Sequence, residues 1–211
     1  MTNDAPSLTE IKAKLAAQCW ADLAEMEFDQ LTLEALADKL DIPASNAYLA
    51  AGSVSDLILH QLDMIDGEAL ATSLADFADD PDATIYEKLF EGLVMRFEMF
   101  ADHRTQIGKL HEAAKRNPIL GLQLSHQLAD VMGKLLRLSG DDSTGFVKEA
   151  RKLGLTAVAF RVRPVWQIDE SADLGQTMKK LDEELKKACE WAISLRVLSK
   201  DDVAFRQGDF A

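Results

Sequence analysis

Residues 31–61 read LTLEALADKLDIPASNAYLAAGSVSDLILHQ, and this stretch decides the fold. Thr32 is placed to N-cap a short helix that carries Leu33, Leu36, Ala37 and Leu40 on one face. Asp41-Ile42-Pro43 then breaks the chain. Pro43 suits the first position of a second short helix, because its fixed φ is helical and its missing N–H has no partner to lose there. That helix is expected to run to Ala51, where Gly52 ends it. Ser53 or Ser55 then caps a third helix that opens on Asp56 and Leu57. Short helix, tight turn, short helix is the helix-turn-helix unit, whose second helix can enter a DNA major groove. On that reading Ser45, Asn46 and Tyr48 are the candidate DNA contacts, with Asn46 able to read adenine through two hydrogen bonds.

With Leu36-Ala37, Ile42, Tyr48, Ser53, Asp56 and Leu57 in register, the stretch resembles the N-terminal unit of TetR-family transcriptional regulators. The family's helix-closing phenylalanine falls on Ala51 and its phosphate-contacting lysine on Val54. Ser55-Asp56-Leu57-Ile58-Leu59-His60 also resembles the ubiquinone-biosynthesis accessory proteins, a lipid-binding branch of the same fold that has lost its DNA-reading face. That similarity resumes at Gly140-Asp141-Asp142-Ser143-Thr144-Gly145-Phe146 and continues weakly through Trp191. The branch docks its partner hydroxylase through an aromatic pair, and here Lys148 and Glu149 take those places. The resemblance implies an all-α, TetR-like fold, with a degenerate helix-turn-helix domain at 1–54 and a ligand-binding and dimerisation domain at 55–211.

Charge bears directly on the DNA reading. Residues 1–60 hold three basic side chains, Lys12, Lys14 and Lys39, no arginine, and ten acids, a balance of −7. DNA affinity rests largely on Lys and Arg displacing counterions from phosphate, so an acidic head works against nucleic acid as a partner. The chain as a whole carries −13, unevenly placed. Residues 1–90 have 4 basic and 18 acidic side chains, and residues 91–211 have 19 and 18. The acidic half repels nucleic acid and anionic membrane; it suits either a basic protein partner or a solvated surface.

The rest of the chain reads as helix. Ser7 and Glu10 form a capping-box pattern that opens a helix from Leu8 to Met26, with Ile11, Leu15, Cys19 and Leu23 in its buried stripe. A connector helix is expected over 55–78, and Asp79-Asp80-Pro81-Asp82 is the clearest break. Helices follow over 83–102, 104–115 and onward to Leu138; then 145–166, bent near Pro164, and 173–198. Leu174, Met178, Leu181, Leu185, Ala188, Ala192 and Leu195 give the last helix a near-heptad seam. In the TetR fold the last two helices form a four-helix interface with a symmetry mate, so the resemblance implies a homodimer; otherwise the seam packs within one chain.

The side chains show no catalytic constellation, and an enzyme is not expected. The four histidines have no metal-binding spacing, and there is no Gly-rich phosphate loop or nucleophile elbow. Cys19 and Cys189 read as separate thiols in a reducing compartment. No signal core or membrane-length apolar run appears, and the tail 195–211 is too short and too charged for a membrane helix, which is simplest for a cytoplasmic protein. The body offers bulky apolar groups that read either as core or as the wall of a pocket: Phe90, Phe97, Phe100, Leu122, Met132, Phe160 and Trp166, with His126 as a polar group for a ligand head. No cofactor is expected. The family's hydrophobic effector site implies a fatty acid, quinone or isoprenoid as the bound small molecule.

Overall fold

The computed structural model describes residues 6–194. Among them are nine α-helices, two single-turn 3-10 helices and no strand. The helices are α1 Leu8–Glu25, α2 Leu33–Lys39, α3 Ala44–Ala50, α4 Val54–Asp79, α5 Ile85–Met99, α6 Arg104–Arg116, α7 Pro118–Leu138, α8 Gly145–Ile168 and α9 Gly175–Ser194. The chain packs into two compact units, Met1–Ile65 with Asp102–Gln127, and Asp66–Ala101 with Leu128–Ala211. α4 and α7 carry the chain from one to the other.

The first unit holds the helix-turn-helix. Ser7 caps α1, and the reciprocal Ser7–Glu10 box is complete: the Glu10 backbone N–H donates to Ser7 Oγ at 3.2 Å, and the Ser7 N–H donates to Glu10 at 2.7 Å. Thr32 caps α2 as expected, accepting from Ala35 N–H. α2 ends with Asp41 at φ 53°, while Ile42 N–H reaches back to Ala37 O at 2.9 Å and Asp41 N–H to Asp38 O at 3.3 Å. Those two bonds are the Schellman closure; aspartate tolerates the left-handed position better than most residues. Pro43 sits one residue outside α3, as its N-cap, rather than as its first helical residue. Ile11, Leu15, Cys19 and Leu23 of α1 are buried, as are Leu36, Ala37, Ala47, Leu57 and Ile58. The 3-10 turn Phe28–Gln30, unexpected from the sequence, buries Phe28 between α1 and α2 in the chain.

The second unit is a helical bundle. α5 begins at Ile85, two residues later than expected, because Thr84 and Glu87 form a second capping box. Leu93, Phe97, Phe100, Met132, Leu135, Val158, Val162 and Trp166 make its core. Trp166 is fully buried; its indole N–H donates to Phe97 O at 3.0 Å, and its ring lies 5.8 Å from that of Phe97. Truncating such a group costs about 3–5 kcal/mol. α7 closes through Gly140 at φ 96°, with Asp141 N–H bonded to Leu136 O at 3.0 Å. α8 runs through Pro164 as one continuous helix. The carbonyl that loses its donor belongs to Phe160, and both residues are exposed, where water can replace the missing bond. α9 starts at Gly175, and the expected end at Leu198, with the tail beyond it, lies outside the described residues.

Candidate functional site

α3 is the element that would meet DNA. Ser45 and Tyr48 are exposed on it, and Asn46 is half-buried. Leu49, which no sequence motif marks, is exposed beside Tyr48. The Tyr48 hydroxyl donates to Glu34 of α2. That bond holds the Glu34 carboxyl below its ordinary range and pushes the Tyr48 phenol up. A persistent carboxylate thus stands next to a candidate DNA contact, where phosphate oxygens would have to approach. Two of the three head lysines are already engaged by head acids: Lys12 with Asp56 at 2.9 Å and Lys39 with Asp22 at 2.6 Å.

The second unit contains a cavity of about 310 Å³. Ile85, Tyr86 and Leu89 of α5 form one wall. Ala150, Gly154 and Ala157 of α8 face it, with Ala188, Cys189 and Ala192 of α9. The space exists because α8 and α9 present small residues where they would otherwise interdigitate. Trp191 stands at the edge of the cavity and is largely exposed.

Polar groups on the lining are committed within the protein. Tyr86 Oη donates to Asp182 Oδ1 at 2.8 Å; burial and that carboxylate push its phenol well above the usual range. Arg151 pairs with the buried Asp141 at 2.8 Å. Arg161 reaches Glu184 at 3.4 Å. Burial raises the Cys189 thiol to about 11, so it is protonated and a poor nucleophile near neutrality. With its charges internally paired, the cavity presents a mainly apolar lining.

The residues expected to line a pocket are dispersed. Phe97, Phe100, Met132 and Trp166 are solid core, and Phe90 is half-buried. Leu122, His126 and Phe160 are exposed, and Leu122 and His126 belong to the other compact unit. None of the eight lines the cavity. Bulky side chains fill a bundle, whereas a cavity opens where bulk is missing. The sequence signal for it was Ala150-Gly154-Ala157 and Ala188-Ala192, small residues at helical spacing. Among the described residues no group of three His, Cys, Asp or Glu side chains is arranged to hold a metal ion, and no helix is long and apolar enough to cross a membrane.

The arrangement of helices is that of a known class: the chain is an all-α protein of TetR-like fold. It is similar to the crystal structure of the TetR transcriptional regulator from Nitrosomonas europaea ATCC 19718, with a TM-score of 0.66 over 86% of this chain and 98% of that one, at 14% sequence identity. No protein-family model matches the sequence, and no curated protein matches it.

Proposed function

We propose that this protein binds a hydrophobic small molecule in its helical body, residues 55–211, and that its head, residues 1–54, has a weakened capacity to read DNA. The observation that carries the reading is the cavity of about 310 Å³ whose lining polar groups are held by protein partners. Its size lies at the small end of the range for ligand sites, roughly 300–1,000 Å³. A single acyl chain, or a quinone ring with a short isoprenoid, suits it better than a two-chain membrane lipid. The resemblance to the lipid-binding ubiquinone-biosynthesis accessory branch supports the same ligand class, and the resemblance to the TetR fold supports a homodimer. The acidic head, with Glu34 beside Tyr48, supports the loss of DNA reading.

Native mass spectrometry of gently purified protein, with solvent extraction of what it carries, tests the ligand. The expected result is a bound fatty acid, quinone or isoprenoid, displaced in Ala188→Leu, which fills the cavity from α9. Protein that is empty as isolated, and that takes up a fluorescent fatty acid equally well with or without Ala188→Leu, would refute the reading.

A ligand-responsive transcriptional regulator is the second reading. Its support is the fold shared with a TetR regulator and the exposure of Ser45 and Tyr48 on α3. Selection from a random duplex library at physiological salt separates the two, since a regulator returns a defined sequence.

A further inference from the structure

Among the described residues the cavity lining carries two cations, Arg151 and Arg161, and they are held very differently. Arg151 belongs to the fold. Its partner Asp141 has a side chain only 3% exposed and lies 2.8 Å away, so drawing the guanidinium off would strand a buried carboxylate. Arg161 is the opposite case. Its side chain is 62% exposed, and its Nη1 reaches Glu184 at 3.4 Å, farther than the other cations on that carboxylate. Lys187 at 2.9 Å and Lys180 at 3.0 Å are both closer, and their hydrogen bonds hold the Glu184 carboxyl down to about 2. Glu184 therefore stays ionised and paired when Arg161 turns to another anion. A guanidinium presents a planar fork of donors that fits a carboxylate through parallel hydrogen bonds, and its one bond to Glu184 leaves most of them for a ligand.

Position adds to the asymmetry. α8 lays Ala150, Gly154, Ala157 and Arg161 along the cavity. Arg161 ends that wall, roughly 16 Å from Ala150 at ~1.5 Å per helical residue. The Tyr86 hydroxyl already donates to Asp182 at 2.8 Å, so it is not available to a quinone carbonyl.

We propose that the ligand of this cavity is a single-chain carboxylic acid, with its chain along α8 and its carboxylate held by Arg161 at the rim. The proposal rests on the ligand reading above and narrows its ligand classes to one. A quinone or a hydrocarbon isoprenoid gives Arg161 no charge to pair with. A dianionic phosphate head would stand against Glu184, whereas a monoanion suits one guanidinium beside that carboxylate.

Calorimetric titration of delipidated full-length protein with dodecanoate and with 1-dodecanol, which has the same chain and no charge, tests the anchor. Wild type is expected to bind dodecanoate at least about tenfold tighter than dodecanol. Arg161→Gln should bring dodecanoate down to the affinity of dodecanol, with helicity unchanged by circular dichroism. Arg161→Lys should keep part of the preference, because it retains the charge and loses the fork. Ala188→Leu should lose both ligands. If wild type binds the two equally, or Arg161→Gln keeps the preference, the anchor is overturned while the ligand reading stands. Binding that Ala188→Leu leaves untouched would put the chain outside the cavity and overturn both, as would a wild type that binds neither compound.

Discussion

Glu184 is almost fully buried on α9 and still ionised, because Lys187 at 2.9 Å, Lys180 at 3.0 Å and Arg161 at 3.4 Å surround it. The hydrogen bonds from Lys187 and Lys180 hold its carboxyl down to about 2. A carboxyl depressed in the folded state stabilises fully above its ordinary value near 4.5, and that contribution is lost as pH falls toward 2. Wild type should therefore lose stability relative to Glu184→Gln on moving from pH 6 to pH 3, measured by urea unfolding. An equal difference between the two proteins at both pH values would remove the carboxylate from the account. Cys189 makes the converse case. With its thiol raised to about 11, it should react slowly with a disulfide reagent at pH 8 and faster as pH approaches that value. Rapid labelling at pH 8 in the folded protein would contradict the burial that sets it.

The helices themselves were read well from the sequence, and the errors lie where local capping overrode periodicity. α1, α2, α6 and α7 fall within a residue or so of expectation, because Ser7, Thr32, Asn117-Pro118 and Gly140 are local signals that need no tertiary context. α5 is shorter than its periodicity predicts because the Thr84–Glu87 box sets its start at Ile85. Thr84→Ala should destabilise the protein by about 1 kcal/mol through the lost cap. Gly67 offers a test of the opposite sign. It lies exposed in the middle of α4, and a Cβ there would meet nothing. Gly67→Ala should add about 1 kcal/mol from helix propensity alone. Chemical denaturation measures both, and a loss at Gly67 would mean that the glycine bends or packs in some further way. The candidate site was less legible. Its walls come from α5, α8 and α9, which are far apart in sequence, and periodicity marks which face is apolar without saying where two apolar faces fail to fill the space between them. Residue size within the seam held that information, in Ala150, Gly154 and Ala188.

At the scale of the whole molecule, charge is the property that separates the two proposed readings. The head has a helix-turn-helix, yet residues 1–60 carry a balance of −7, and two of their three lysines are paired with Asp56 and Asp22. Geometry and electrostatics thus point in opposite directions, and they can be separated by changing only the charge. Glu34→Lys, Asp38→Lys and Ser45→Lys together alter three exposed positions around α2 and α3 and bring the balance of residues 1–60 to −2. Wild type is expected to show no measurable affinity for a duplex DNA fragment at physiological salt. The triple variant should bind it without sequence preference, with log affinity falling against log salt by about 0.9 for each new phosphate contact. Fluorescence anisotropy over a salt series reads both quantities. Tight, salt-steep binding by wild type would show that the acidic surface does not govern the head. A folded triple variant that still ignores DNA would locate the block in the shape of α3, where Leu49 and the Tyr48–Glu34 pair stand in place of a basic reading edge.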